Sequence, residues 1–224
     1  MRIAVYSCNF GNYRNELTQG IDGFVHDKDI DYFFFTDSNE FKSEIWKIIQ
    51  VPLLNADGIM NPYRWTAKYI KFVLPEILSD YNIVIWCDSK ILKMKFMLHK
   101  ENILNLCHDH KIVNCKHPQR KTLHEELQYT ISRNIENVVN GRRFQEEIIG
   151  RSYSTPLPDT CFIIRTTDKE TNTMMARVFE LLKEKGLKRD QNVYNHAIDE
   201  LQYPATHIRW ICFNYKRNNP GNPW

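Results

Sequence analysis

A run of residues suited to a buried strand, Ile83-Val84-Ile85-Trp86-Cys87, ends abruptly in Asp88-Ser89-Lys90. A carboxylate, a hydroxyl and an ammonium there suit a polar ligand, because open α/β sheets bind ligands beyond the carboxyl ends of their strands. A second candidate set lies on one helix face. In "NPYRWTAKYIKF" (61–72), Arg64, Lys68 and Lys71 recur at i, i+4 and i+7 and so project from one side. Arginine offers a planar fork and lysine a point charge, which together suit a diphosphate; a solvated helix face is the competing and commoner explanation of the spacing. A third set, Arg189-Asp190-Gln191, opens a late helix. Asp190 reads there either as an N-cap or as a carboxylate turned into a strand-end crevice. Two more strand ends carry polar groups. "CNFGNY" supplies Asn9, Phe10 and Gly11, and "DYFFFTDS" supplies Asp37. A glycine past a strand lets a ligand approach backbone, although an ordinary turn explains it equally well. Cys107, His110, Cys115 and His117 are zinc-ligand types, but a strand-like Ile112-Val113-Asn114 divides them and their spacing matches no knuckle.

These groups need a scaffold. Strand-like runs are Ile3–Cys8, Tyr32–Thr36, Ile45–Val51, Ile83–Cys87, Ile112–Cys115 and Cys161–Arg165, with a last one around His207–Cys212. Asn61 followed by Pro62 opens a helix to about Leu74. Further helices are expected over Leu98–Cys107, His124–Val139 and Phe144–Ile149. Asp168 caps another that runs to Lys185 and stops at Gly186, and a final helix follows Asp190 to about Leu201. Strands alternating with helices, several of them apolar on both faces, predict an α/β domain with a mostly parallel sheet covered on both sides.

The chain has 224 residues, of which 42% are hydrophobic and 25% charged. That is ample for one core, so a single domain over 1–212 is expected, with an irregular tail over 213–224. A net charge of +3 is too weak to argue for nucleic acid and suits a small phosphorylated ligand. No stretch has the length of a transmembrane span. "MRIAVYSC" reads as a strand rather than a leader, and six scattered cysteines read as reduced thiols. A soluble cytoplasmic protein is the expectation.

Taken in order, Arg64 and Lys68, "LPEILSDYNIVIWCDSK" (74–90), "KHPQRKTLHEE" (116–126) and "KRDQ" (188–191) resemble the GT-A-fold glycosyltransferases, in particular the branch that includes plant mucilage-related glycosyltransferases. The resemblance covers most of the chain and implies a single GT-A-like, Rossmann-like domain with a mixed, mostly parallel sheet. It implies a nucleotide-sugar donor, usually a UDP-sugar, a glycan or other hydroxyl acceptor, and Mn²⁺ or Mg²⁺ held against the diphosphate by a strand-end DxD motif. By this likeness Asp88 is the first acid, and Asn9, Phe10, Gly11 and Asp37 lie near the base and ribose. Arg64 and Lys68 reach the diphosphate or brace Asp88, with Ser89 and Lys90 alongside. Asp190 and Gln191 face the transferred sugar. His117, Arg120 and Glu125 belong to the acceptor side or support the site.

The motif departs from the pattern, because Lys90 stands where the second acid belongs. Either His207 supplies the missing metal ligand, or Lys90 with Arg64 and Lys68 neutralises the leaving diphosphate without a tightly held metal; the reading preferred is a metal held partly by water, with Asp88 as its main protein anchor. An inverting reaction needs a base, for which Asp190 is first and Glu125 second. A retaining reaction can pass the proton to the leaving phosphate, and the resemblance leans that way. A degenerate domain that binds nucleotide or glycan without turnover is the alternative. A sugar nucleotidyltransferase is another, against which stands the lack of a glycine-rich phosphate loop after the first strand.

Overall fold

The computed structural model describes residues 1–15, 26–55, 58, 60–89 and 99–212. The 213–224 tail, Lys90 and the start of the Leu98 helix lie outside the described residues. Seven strands form one sheet: β1 (Ile3–Asn9), β2 (Asp31–Thr36), β3 (Lys47–Gln50), β4 (Ile83–Cys87), β5 (Ile112–Lys116), β6 (Pro158–Thr166) and β7 (Ile208–Ile211), in the order β3-β2-β1-β4-β6-β5-β7. All run parallel except β6, which lies antiparallel between β4 and β5. The six α-helices among the described residues are α1 (Pro62–Phe72), α2 (Lys100–Cys107), α3 (Leu123–Ser132), α4 (Val138–Glu147), α5 (Lys169–Lys185) and α6 (Gln191–Glu200).

Both faces of the sheet are buried, which is why the central strands read as unbroken apolar runs. Ala4, Tyr6, Val84 and Trp86 pack with α1, α5 and α6 through Ile70, Phe72, Leu181 and Tyr194. Val5, Ile85 and Cys87 face the other layer, where Ile103 and Leu106 of α2 meet Trp46. Each such fully buried large side chain contributes about 1.5–3 kcal/mol of hydrophobic stabilisation.

Local signals set most boundaries. The Asn61 side chain accepts the Arg64 N–H, with Pro62 at the first helical position. Asp168 accepts the Thr171 N–H, and α5 stops at Gly186, in the left-handed region at φ 61°. The stretch expected as one helix over His124–Val139 forms parts of two. Asn134 turns left-handed at φ 53°, and Asn137 restarts the chain by accepting the Asn140 N–H. The short polar side chain of asparagine tolerates the first conformation and suits the second. That break brings Glu136 inward, to 2% exposure.

One buried cation fixes the end of α1. Arg165 of β6 is 1% exposed. It donates to the Phe72 carbonyl at 3.0 Å and to the Tyr6 hydroxyl at 3.1 Å, and Tyr6 in turn donates to the Lys71 carbonyl at 2.9 Å. Helix C-termini leave carbonyls unpaired and carry partial negative charge, so a guanidinium is well placed there. The result is a fixed backbone at Lys71. No helix of the described residues is long and apolar enough to cross a membrane.

Candidate active site

A cleft of about 220 Å³ opens at the carboxyl ends of β4 and β5 and the amino end of β6. Lys68 and Lys71 of α1 form one wall, Trp86 and Asp88 the floor, and His117 to Arg120, Asp159 to Cys161 and Arg189 to Gln191 the rest.

Asp190 is its centre. It occupies the N-cap position of α6, yet its backbone is already helical and its side chain caps nothing. Instead the carboxylate turns into the cleft. Oδ1 accepts from Lys68 Nζ at 2.5 Å, and Oδ2 from Lys71 Nζ at 2.6 Å and from the Thr160 hydroxyl at 2.8 Å. Its side chain is 4% exposed. Burial opposes its charge, but the two ammonium groups outweigh burial and hold the carboxyl well below the usual range. Burial lowers the Lys68 ammonium despite Asp190. Lys71 is raised against the effect of burial by Asp190 and Asp88 together.

Lys71 is the link to the strand end, with Nζ 3.8 Å from Asp88 Oδ1. Trp86 Nε1 donates to the same oxygen at 2.9 Å, and the Asp88 N–H continues the sheet by donating to the Cys161 carbonyl. Lys71 was legible in the helix row, but not as the residue that joins the two acids.

The β5 side is built around a different carboxylate from the one expected. Glu125 is exposed. It accepts the Lys121 N–H at 2.7 Å, and the Thr122 hydroxyl accepts its own N–H at 3.2 Å. This is capping at the start of α3, and the backbone donor holds the Glu125 carboxyl below its ordinary range. Its neighbour Glu126 is fully buried, accepting from Arg120 Nε, with Arg189 Nη2 at 3.5 Å. His117 is oriented by the Arg120 backbone N–H, donated to Nδ1 at 2.9 Å. Glu136 holds the loop before Asp190. It accepts the backbone N–H of Lys188 at 2.7 Å and of Arg189 at 3.0 Å, and the Asn192 amide at 3.0 Å.

Of the expected site residues, the cleft thus collects Lys68, Asp88, His117, Arg120, Asp190 and Gln191. Asn9, Phe10, Gly11, Asp37, Arg64 and Ser89 do not line it. Asn9 clamps a turn, donating to the Tyr13 carbonyl and accepting its N–H. Phe10 is in the core. The Gly11 N–H donates to Asp37 Oδ1 at 2.9 Å. Gly11 has φ 62°, and a Cβ there would lie 2.9 Å from the Tyr63 ring, so glycine is required. Arg64 stays on the exposed first turn of α1, its guanidinium 5.9 Å from the Tyr13 ring centroid. Ser89 is buried at the end of β4.

His207 precedes β7 and therefore sits at the amino end of the sheet, opposite Asp88, where its N–H donates to Pro204 and its ring lies 3.9 Å from Glu170. It cannot share a metal with Asp88 in this fold. The other donors do not compensate. Both Asp190 oxygens are taken by ammoniums, and no cluster of three histidine, cysteine or acidic side chains among the described residues could hold a metal ion. The described residues do not build a dedicated divalent-metal centre. Cys107 and His110 likewise lie at the opposite end of β5 from Cys115 and His117. Asp159 was not foreseen as a cleft residue, and Arg189 was singled out only with the start of the late helix. Asp159 precedes the expected strand by two positions, and only the longer antiparallel β6 brings it to the opening.

No family model and no curated protein matches the sequence. Among solved structures the chain is similar to the mannosyltransferase Ktr4p from S. cerevisiae, with 14% identity, a TM-score of 0.52 and coverage of 93% of this chain and 68% of that one. Weaker likenesses are to the galactosyltransferase LgtC, at 8% identity, TM-score 0.46 and 93% and 73% coverage. The glycosyltransferase GlyE of Streptococcus pneumoniae gives 10% identity and TM-score 0.47, with 94% of this chain and 45% of that one covered. At such identities the likeness is one of fold, and the chain has a GT-A-like α/β fold.

Proposed function

We propose that this chain transfers a sugar from a nucleotide-sugar donor, a UDP-sugar in the first instance, to a hydroxyl of a glycan or related acceptor, as the likeness to the mucilage-related branch implies. The observation that carries the reading is the chain of charges Lys68–Asp190–Lys71–Asp88 in a cleft at the strand ends. Breaking the bond between the anomeric carbon and the β-phosphate oxygen leaves negative charge on the diphosphate. Ammonium groups already fixed in place stabilise that charge without reorganising. Asp190 and Gln191 are then placed to accept and donate hydrogen bonds to the sugar hydroxyls.

Asp190 is a poor base, because both oxygens are occupied and its carboxyl is held far below the usual range. Glu125 caps α3 outside the cleft. With both base candidates removed, the acceptor proton passes to the departing phosphate oxygen as the acceptor oxygen bonds to the anomeric carbon. That route delivers the acceptor to the face the phosphate leaves, so the product retains its configuration. Asp88, Asp159 and His117 also line the cleft and are the groups an inverting reaction would draw on.

The test is calorimetric titration of UDP in Mn²⁺ and in EDTA, followed by UDP release from UDP-sugars with the product's anomeric configuration read by NMR. UDP is expected to bind in EDTA, and Lys71→Met to abolish binding. Binding only with Mn²⁺, lost in Asp88→Ala, would put the diphosphate on a metal at Asp88 and refute the ammonium role. UDP binding without turnover of any UDP-sugar would leave a degenerate domain. No UDP binding in either condition would sink the donor class.

A further inference from the structure

The cleft's second concentration of positive charge lies away from the lysines. Glu126 of α3 is fully buried, and two arginines share it. Arg120 donates Nε to Oε2, brings Nη2 to 2.9 Å from His117 Nε2 and lies 4.1 Å from the Tyr129 ring centroid, so the guanidinium is stacked and fixed in place. Arg189 brings Nη2 to 3.5 Å from Oε1. The same Nη2 donates to Gln191 Oε1, and Nε is buried without a hydrogen-bond partner among the described residues. One guanidinium suffices to neutralise Glu126. The second leaves a net positive charge on the cleft surface, and no other carboxylate among the described residues lies within 4 Å of either guanidinium.

Position separates Arg120 from the donor end. The strand order reverses between β1 and β4, where β1, β2 and β3 step one way and β4, β6 and β5 the other. Crevices at such reversals take the nucleotide. Arg120 follows β5, two strands beyond β4. The two guanidiniums share one carboxylate, so this pair carries a surplus positive charge that a second oxyanion can meet.

We propose that the Arg120–Glu126–Arg189 cluster is a subsite for an acidic group on the acceptor, a sugar-borne carboxylate or phosphate; the word acceptor rests on the glycosyl-transfer reading above. The subsite selects acidic over neutral acceptors and fixes the attacking hydroxyl by holding the acid beside it.

The test needs no turnover. The full chain is titrated, without nucleotide, with a uronic-acid disaccharide, its neutral hexose counterpart and a hexose phosphate, and the titrations are repeated with saturating UDP. The acidic ligands should bind about tenfold or more tighter than the neutral one, as charge-assisted contacts of this kind provide, and more weakly as salt rises. The carboxylate and phosphate arms identify which acid the site takes. Arg120→Gln and Arg189→Gln should each remove most of that preference. Should Arg120→Gln fail to fold with Glu126 left buried, the half-exposed Arg189 and the salt dependence still decide the matter. Equal affinity for acidic and neutral disaccharides overturns the proposal. So does displacement of the acidic ligand by UDP, which would make the arginines a diphosphate site. Acidic-ligand binding in a protein that ignores UDP would keep the subsite while the donor reading falls.

Discussion

Asp190→Asn removes one charge and almost no volume, so it isolates the electrostatics of the cleft. In the native protein the carboxylate meets two ammoniums at 2.5 and 2.6 Å and a hydroxyl at 2.8 Å. In the variant one amide end faces an ammonium donor to donor, and the two lysines repel each other with Asp88 alone nearby, 3.8 Å from Lys71. Removing one partner from a buried ionic cluster costs about 3–5 kcal/mol, which for a chain of this size lowers Tm by roughly 6–20 °C. The pH dependence gives a second handle. Asp190 is depressed below its ordinary 3.8 on folding, so its stabilisation is present above that pH and is lost as pH falls through the folded value. Burial depresses Lys68 below 10.5, and without Asp190 it is depressed further. The folded variant then binds fewer protons than the unfolded chain, so its stability rises as pH increases toward 10.5. The gap between the proteins should be widest near neutrality and narrow toward both pH 3 and pH 10. Urea unfolding across that range measures it. Equal stability at pH 7, or a gap that does not change with pH, would refute the ionic triad.

Glu136→Gln replaces one of two oxygens that together accept four N–H groups with a donor. A loss of about 2–4 kcal/mol in urea unfolding is expected, along with slower UDP release, because residues 188–191 lose their anchor. Gly11→Ala forces a left-handed alanine against Tyr63; it should cost about 1–2 kcal/mol, and Tyr63→Ala in the same chain should restore part of that in the denaturation midpoint. Asp168, held down to about 2 mainly by Thr166 and Thr171 against the effect of burial, contributes stability that fades as pH falls from 4 toward 2. Asp168→Asn keeps a good N-cap but loses the ionised form, so it should be less stable than the native chain at pH 7, with the deficit closing as pH falls toward 2. Asp159→Asn should leave the product's anomeric configuration and most of the turnover intact; a collapse of turnover with inverted product would make Asp159 the base and remove the retention argument.

What was legible in the sequence was what neighbours along the chain decide. Asp168 and Gly186 bound α5 because a cap and a left-handed stop act within one turn. Apolar runs gave β1, β4 and β5, since strands buried on both faces need no partner to betray them. The break between α3 and α4 was local as well, in Asn134 and Asn137, but the apolar pattern on either side concealed it. Glu125 could have been read correctly: Thr122-Leu123-His124-Glu125 is a capping-box spacing, which assigns Glu125 to the helix start and leaves Glu126 to turn inward. For Asp190 the cap and the crevice stood as two readings, and what decides for the crevice is a pair of lysines 119 and 122 residues away, which no local spacing reveals. His207 failed for a related reason. Its place depends on β7 joining the sheet beside β5 in parallel, which sends the residue before the strand to the far end from Asp88.

The same contrast bears on why the charges in the cleft are there. Burying Lys68, Lys71 and Asp190 together is a weak route to stability, because desolvation consumes most of what the pairing returns, and apolar side chains of similar size can do as well. Nearby structure nevertheless goes to some length to hold these groups in place. Arg165 and Tyr6 fix the carbonyl end of α1 at Lys71, Glu136 fixes the loop at Asp190, and Trp86 orients Asp88. Each of these supports contains a buried polar group that the fold must also satisfy. A set of charges held from three directions, in an opening at the strand ends, is what an electrostatic catalyst requires, since charges fixed beforehand need not reorganise when the leaving group departs. Loosening a support while leaving every charge in place therefore separates the two roles. Arg165→Lys keeps a cation but loses the fork that reaches both Phe72 and Tyr6. UDP release should fall by a larger factor than the change in folding free energy predicts from the unfolded fraction at the assay temperature. A fall that merely tracks the folded population would make the network structural and nothing more.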